Sequence, residues 1–259
     1  MKTSGNTILI TGGTSGIGFE FAKQLLALGN AVAVTGRDQK KLDAMKARLP
    51  QVRAIKSDAS RPEEIESLVR TVTSEVPKLN VLINNAGIMR TINFHEAADL
   101  EGLTQEIDVN LKGPIRLAMA FLPHLKKQQD AAIVNVTSGL AFVPLPTSPV
   151  YCATKAGLHS FSLSLRVQLK NTRVKVFEVA PPATETELLS GMSAEDRKGV
   201  DIMKVDDMVA VSIKGLEDDR LEIRPGQANS LKFMSRVAPD FILKQLSRPM
   251  DRLLAATKN

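Results

Sequence analysis

Short, continuously apolar runs alternate with stretches of helical periodicity from the first residues onward, and this alternation constrains the fold more than any other feature. Thr7-Ile8-Leu9-Ile10, Ala31-Val32-Ala33-Val34, Val52-Arg53-Ala54-Ile55, Val81-Leu82-Ile83, Ile133-Val134-Asn135-Val136 and Val174 to Val179 read as strands. Between them, Phe19 to Leu28, Lys40 to Leu49, Pro62 to Val76, Leu103 to Leu125 and Tyr151 to Leu169 read as helices, with Gly113-Pro114 as a site for a kink. Strands that are apolar throughout need cover on both faces, which favours a parallel sheet. Right-handed crossovers then predict an α/β fold: one doubly wound parallel sheet with helices on both faces. No linker or repeat interrupts residues 1–259. The Pro-rich stretch Pro144 to Pro149 is a loop, because the pattern resumes on either side.

The first strand runs into Thr11-Gly12-Gly13-Thr14-Ser15-Gly16-Ile17-Gly18 and then a helix. Glycines there allow positive φ and close backbone approach. The helix N-terminus offers free N–H groups and partial positive charge to a pyrophosphate. The spacing is G-x-x-x-G-x-G, which gives the fold a Rossmann-like character without the G-x-G-x-x-G of the commoner dinucleotide fold. The second strand ends in Thr35-Gly36-Arg37-Asp38. Gly36 stands where an acidic residue would grip the ribose hydroxyls, and Arg37 follows, an arrangement that favours a 2′-phosphate and hence NADP(H), with NAD(H) as the alternative. Asp38 comes later and suits a helix cap. Asp58 and Asn84-Asn85-Ala86-Gly87 follow the third and fourth strands at their carboxyl ends, where such sheets bind ligands.

Tyr151, the only tyrosine, lies four residues before Lys155 and thirteen after Ser138. Residues i and i+4 share a helix face. An ammonium beside a phenol favours the phenolate and is expected to lower its pKa from about 10. A serine at a neighbouring strand end is placed to hold a substrate carbonyl against that phenol. Asn110, poorly suited to a helix interior, marks a helix break or a functional carbonyl.

Together, Thr11-Gly12-x-x-x-Gly16-x-Gly18, Asp58, Asn84 to Gly87, Asn110, Ser138, Tyr151-x-x-x-Lys155 and Pro181 to Thr186 resemble the short-chain dehydrogenase/reductase family over roughly Thr7 to Leu188, and within it the bacterial DltE-like oxidoreductases. The resemblance implies a carbonyl/alcohol oxidoreductase with Asn110, Ser138, Tyr151 and Lys155 as the catalytic set. Tyr151 would pass the proton, Lys155 would tune it and bind the nicotinamide ribose, Ser138 would hold the substrate oxygen, and Asn110 would hold a water that returns protons to Lys155. It implies dinucleotide contacts from Gly12, Thr14, Ser15, Gly16, Ile17 and Gly18 in the first turn. Arg37, Asp58, Ala59, Asn85, Ala86 and Gly87 would contribute further along, and Tyr151, Lys155, Pro181, Thr184 and Thr186 at the nicotinamide end. It also implies a homodimer or homotetramer, formed through the helices around Leu103 to Leu125 and Tyr151 to Leu169.

Two stretches depart from the family. Pro181-Pro182 replaces its Pro-Gly, so a fixed φ and a missing N–H change the backbone near the nicotinamide. Leu221-Glu222-Ile223 is a candidate seventh strand, but Arg224-Pro225-Gly226-Gln227 follows it in place of the family's usual ending. The loop Gly139 to Pro149 and a lid from Glu185 to Lys204 are expected around the substrate. Ser138, Tyr151, Leu188 and Met192 are its candidate contacts, and Leu188, Leu189 and Met192 suit an apolar portion of it.

Composition narrows the alternatives. Without Trp and with 4% aromatic residues, the chain lacks a base-stacking platform, so nucleic acid is an unsuitable partner despite a net charge of +6. Three scattered histidines and one Cys give no metal-ligand spacing, and no metal is expected. The lone Cys152 and the absence of an apolar leader fit a cytoplasmic protein. Residues from about 226 to 259 form a basic amphipathic extension. Its basic residues suit anionic membrane, but amphipathicity first indicates a helix packed on the body or on a sister subunit. A non-catalytic dinucleotide-binding sensor or scaffold on the same fold is the alternative function, although a pure binder has no need of the phenol.

Overall fold

The computed structural model describes residues 1–96, 99–189 and 200–256. Its strands are β1 (Thr7–Thr11), β2 (Ala31–Gly36), β3 (Arg53–Lys56), β4 (Val81–Asn84), β5 (Ala131–Val136), β6 (Val174–Val179) and β7 (Glu222–Ile223). Its helices are α1 (Gly16–Ala27), α2 (Gln39–Arg48), α3 (Pro62–Glu75), α4 (Leu100–Leu103), α5 (Gln105–Ile107), α6 (Gly113–Leu125), α7 (Pro149–Gln168), α8 (Val205–Glu217), α9 (Ala228–Val237) and α10 (Pro239–Ala256). The strands form one parallel sheet in the order β3-β2-β1-β4-β5-β6-β7. The seventh strand joins in register, with Glu178 opposite Glu222 and Val179 opposite Ile223.

Alternation along each strand builds two core layers. Ile8, Ile10, Val32, Val34, Ile83 and Phe177 pack against Phe21 and Leu25 of α1, Leu42 and Met45 of α2, and Met208 and Ile213 of α8. Leu9, Leu82, Ile133 and Val176 face the other way, onto Ile65 and Val72 of α3, Phe121 and Leu125 of α6, and Leu165 of α7. Each fully buried side chain of this size contributes about 1.5–3 kcal/mol, so the double-sided cover stabilises strands that would otherwise expose one apolar row.

The single helix expected from Leu103 to Leu125 is instead α4, α5, a π-helical turn over Asp108–Lys112, and α6. Pro114 has no N–H to donate to the Asn110 carbonyl four residues earlier, and the helix widens at that point. Asn110 therefore sits in an irregular turn near the carboxyl ends of the central strands.

The C-terminal helices fold back over that end of the sheet. Leu231 of α9 lies over Gly139, where an added Cβ would meet its Cδ1 at 3.0 Å. Lys232 pairs with Glu222, and its Nζ stands 4.9 Å from the Phe142 ring centroid. Leu246 of α10 packs on a small cluster formed by Leu145, Tyr151 and Cys152. Among the described residues no helix is long and apolar enough to cross a membrane.

Candidate active site

The turn after β1 and the loop after β4 are knitted together. The Thr11 Oγ1 accepts from Asn85 N at 3.0 Å and Ala86 N at 3.1 Å, and Asn85 Nδ2 donates to the carbonyls of Thr11 and Gly12, each at 3.0 Å. Gly12 has φ +65°, and a Cβ there would lie 2.8 Å from the Ala86 Cα. A Cβ on Gly18 would lie 2.4 Å from both Asn85 Nδ2 and the Gly12 carbonyl. Only glycine permits that approach. The chain crosses from β1 toward β2 and from β4 toward β5 in opposite directions, so the knot lies at the topological switch point of the sheet.

This turn delivers Gly16, Ile17 and Gly18 as the first turn of α1, whose N-cap Ser15 makes no side-chain capping bond. The positive end of a twelve-residue helix thus faces the crevice uncapped. The Thr14 methyl lies against Gly36, and Thr186 Cγ2 stands 3.3 Å from a Cβ position on Gly16. A depression of about 550 Å³, lined in part by Ser15, Gly16, Glu185 and Thr186, opens beside them. The glycine turn fits an anionic dinucleotide through its side-chain-free cradle and bare helix N-terminus, whereas the depression is lined also by Glu20 and Glu187.

At the end of β2, the exposed Arg37 has no carboxylate partner among the described residues, whereas Asp38 is spent capping α2 through Lys41 N at 3.2 Å. Asp58 Oδ1 accepts from Ser60 N at 2.9 Å and Ser60 Oγ at 2.7 Å. Ala59 packs at the start of α6, its carbonyl 2.7 Å from a Cβ position on Gly113.

The second group of side chains converges from three elements. Ser138, just after β5, caps a short 3-10 turn (Gly139–Ala141) by accepting from Leu140 N at 3.1 Å, and its side chain favours the ionised form of the Tyr151 phenol. Tyr151 and Lys155 lie one turn apart on α7, 5% and 4% exposed. Lys155 Nζ donates to the Val136 carbonyl at 2.9 Å and stands 5.6 Å from the phenol ring centroid. The fully buried Asn110 holds both sides of Ile88, accepting from its N–H and donating to its carbonyl at 2.8 Å each, with a further bond to Thr154.

Electrostatics correct one expectation. The ammonium was expected to lower the phenol, but burial outweighs it and pushes Tyr151 up to about 12. The Ser138 bond opposes this rise, while Cys152 and Glu106 add to it. Burial also pushes Lys155 down to about 8. A buried phenolate and a buried ammonium each lose hydration, and this pair lies too far apart to restore it. At neutral pH the phenol is protonated and so placed to give a proton.

A sequence model of the short chain dehydrogenases matches residues 6–197. The chain belongs to that family. It is 42% identical to the uncharacterized oxidoreductase DltE of Bacillus subtilis strain 168 over 252 residues, covering 95% of this chain and 98% of the relative. A Burkholderia cenocepacia short chain dehydrogenase solved with NADP superposes with a TM-score of 0.82 at 27% identity, over 95% of this chain and 99% of that one. The 3-ketoacyl-(acyl-carrier-protein) reductase of Brucella melitensis, solved with NADH, gives 0.78 at 25% identity, over 88% and 100%.

As a short chain dehydrogenase, the protein has Gly12 to Gly18, Asn85 to Gly87, Asn110, Ser138, Tyr151, Lys155 and Thr186 around one edge of the sheet. A Cβ on Gly87 would stand 3.3 Å from Asn110 Oδ1 and 3.6 Å from Lys155 Nζ. The Pro181 carbonyl accepts from Gly139 N at 2.7 Å, which ties the Pro-Pro segment to the serine loop. Thr184 is buried and donates to the Pro182 carbonyl. Leu188 is exposed on a short turn (Glu187–Leu189), and Met192 lies outside the described residues, as do residues 190–199 of the lid expected from Glu185 to Lys204.

Several members of the site escape a reading of spacing. Met89, Leu140 and Leu246 pack on the cluster around Tyr151 from three separate elements. Glu106, one helical turn before Asn110, is fully buried and paired with Arg90. His159 and Thr137 bond the buried Glu178, while Lys232 and Arg224 bond Glu222; the ligand atoms of His159, Glu178 and Glu222 lie within 4.8 Å of one another. Phe142 stands edge-on to His159 at 5.1 Å, so this polar bolt secures the loop that carries Ser138. Met89, two residues past the Asn-Asn-Ala-Gly motif, was within reach of a motif-based reading. Leu246 and Glu178 carry no local signal.

Proposed function

We propose that this chain is an NADP(H)-preferring oxidoreductase that interconverts a carbonyl and a secondary alcohol by hydride transfer. The observation that carries this reading is the convergence of the Tyr151 phenol, the Ser138 hydroxyl and Lys155 beside the glycine turn. The dinucleotide, when bound, supplies or accepts the hydride. Gly12, Thr14, Ser15, Gly16, Ile17 and Gly18 hold its phosphates, with Asn85, Ala86 and Gly87 forming the adjoining wall. Asp58 and Ala59 lie toward the adenine, and Pro181, Thr184 and Thr186 toward the nicotinamide.

In carbonyl reduction, Ser138 donates to the substrate oxygen and Tyr151 delivers the proton to it; in alcohol oxidation Tyr151 takes the proton back. Lys155 holds the ribose hydroxyls and relays protons. The Asn110 side chain is fully engaged by Ile88 and Thr154, so its part in proton return falls to the backbone carbonyl that Pro114 leaves without its helical donor. The apolar surround of Met89, Leu140, Leu145 and Leu246 suits a carbonyl with an apolar substituent.

Arg37 is the preference determinant. Its guanidinium has no competing carboxylate partner among the described residues, and the nearby Asp38 is occupied as a cap. Parallel fluorescence titrations will show tighter binding of NADPH than of NADH. Arg37→Ala will weaken NADPH by about ten- to a hundredfold, the worth of a charge-assisted contact of roughly 1.5–3 kcal/mol, and leave NADH nearly unchanged. Equal binding of the two by the unaltered protein would remove the preference.

The protein assembles as a homo-oligomer through α6 and α7. Met119 (73% exposed) and Ile115 lie one turn apart on α6, and Val167 (67%) and Leu163 one turn apart on α7. These uncharged apolar rows call for cover. Met119→Glu with Val167→Glu is expected to convert a dimer or larger species to a monomer in analytical ultracentrifugation while the circular dichroism spectrum is retained. An unchanged sedimentation coefficient would place the interface elsewhere. The single, buried Cys152 fits a cytoplasmic location.

A further inference from the structure

The proposed chemistry makes no use of Glu106, although it is the one carboxylate that acts on both the catalytic phenol and its neighbouring thiol. Its side chain is 0% exposed. Oε1 accepts from Arg90 N at 3.0 Å, Oε2 meets Arg90 Nη2 at 3.4 Å, and the same Nη2 donates to the Leu103 carbonyl at 3.1 Å. One turn further on, Asn110 holds both the N–H and the carbonyl of Ile88. Two buried side chains on adjacent turns thus fasten the strap Ile88-Met89-Arg90, and Met89 lies against the cluster containing Tyr151.

We infer that Glu106 is a positioning residue for Tyr151: it fixes the strap over the phenol and keeps a negative charge close to it. One carboxylate oxygen takes the Arg90 N–H and the other meets its guanidinium, so Glu106 holds both ends of that residue. Glu106 is also the carboxylate partner of Arg90, so its removal leaves that guanidinium without its pair.

The groups facing the phenol are Ser138, Lys155, Cys152 and Glu106. Arg90 pairs with Glu106, which also acts on Tyr151 and Cys152. Burial pushes the Glu106 carboxyl up, and the Arg90 contacts oppose that rise. Burial likewise keeps the Cys152 thiol neutral. Burial is the main cause that disfavours the Tyr151 phenolate, and the Glu106 charge adds to it, so neutralising Glu106 removes one opposing contribution.

The inference rests on Tyr151 being the proton donor and acceptor, and the test separates the two claims. Turnover would be followed against pH in both directions for the unaltered protein, Glu106→Gln, Glu106→Asp and Arg90→Lys, with a model ketone and its alcohol. Reduction needs the protonated phenol and fails as pH rises; oxidation needs the phenolate and grows as pH rises. In Glu106→Gln both midpoints should move to lower pH. Glu106→Asp, which keeps the charge but shortens the reach to Arg90 N, should lower kcat/KM about tenfold with its midpoints unmoved. Arg90→Lys should retain the original midpoints.

The near-ultraviolet absorbance of the phenolate, followed over the pH range in which the circular dichroism is constant, gives a readout independent of turnover. It should show earlier ionisation in Glu106→Gln. Superimposable profiles for the unaltered protein and Glu106→Gln would overturn the inference while leaving the role of Tyr151 intact. If Glu106→Gln does not fold, Glu106→Asp decides, and an unchanged kcat/KM would overturn it. Turnover that does not depend on Tyr151 would instead overturn the chemistry proposed above.

Discussion

Tyr151→Phe will bind NADPH as the unaltered protein does and turn over substrate about a hundred- to ten-thousandfold more slowly, the range expected for loss of a positioned proton donor. The substitution removes one oxygen from a ring that is 5% exposed and packed by Leu145, Cys152, Met89 and Leu246, so the cluster keeps its volume. The lost group is the acid itself. Burial holds the phenol protonated at neutral pH. The check is a fluorescence titration with NADPH alongside steady-state rates. A normal Kd with depressed kcat is expected, and near-normal turnover would remove Tyr151 from the chemistry.

Gly18→Ala will lose NADPH affinity by about a hundredfold and lower stability by roughly 2 kcal/mol, the cost of forcing one extra carbon into a packed place. Helix propensity predicts the opposite sign, because alanine in place of a helical glycine ordinarily stabilises by about 1 kcal/mol. The geometry decides between the two. The new Cβ would stand 2.4 Å from the backbone carbonyl of Gly12 and 2.4 Å from Asn85 Nδ2, which itself bonds the Thr11 and Gly12 carbonyls. Relief requires either breaking the tie between the loops after β1 and β4 or pushing the glycine turn away from the crevice. Thermal unfolding and the same titration measure both effects, and a stabilised variant with intact binding would show that the turn has slack.

The sheet was legible because its strands are apolar on both faces and its helices are punctuated by Gly29, Pro50 and Pro62. These are local signals, and they locate elements without tertiary information. The dinucleotide turn was legible for a similar reason: a strand, three spaced glycines and a helix follow one another directly. The stretch from Leu103 to Leu125 reads as one long helix with a kink site at Gly113-Pro114 and a break at Asn110 as one alternative; the π-helical turn lies there, where Pro114 withholds a hydrogen bond from Asn110. The pKa direction at Tyr151 was missed because helical spacing reports that Lys155 is near but not how deeply both are buried. Glu106, Glu178 and Leu246 depend on contacts between elements distant in the chain, and nothing in their neighbours marks them. The buried glutamate of β6 sits inside a run of Val and Phe, where periodicity favours another apolar residue.

The lone tyrosine buried between Leu145, Cys152 and Met89 gives the molecule an optical property. The chain has no tryptophan. Its tyrosine emission and phenol absorption therefore arise at Tyr151 alone, against a background of nine phenylalanines. A nicotinamide settling beside Tyr151 would quench that emission by energy transfer, and substrate closing over it would alter the circular dichroism of one identifiable chromophore. Occupancy of the site can thus be followed in the native protein without an attached dye, and each signal needs no assignment because it has a single source.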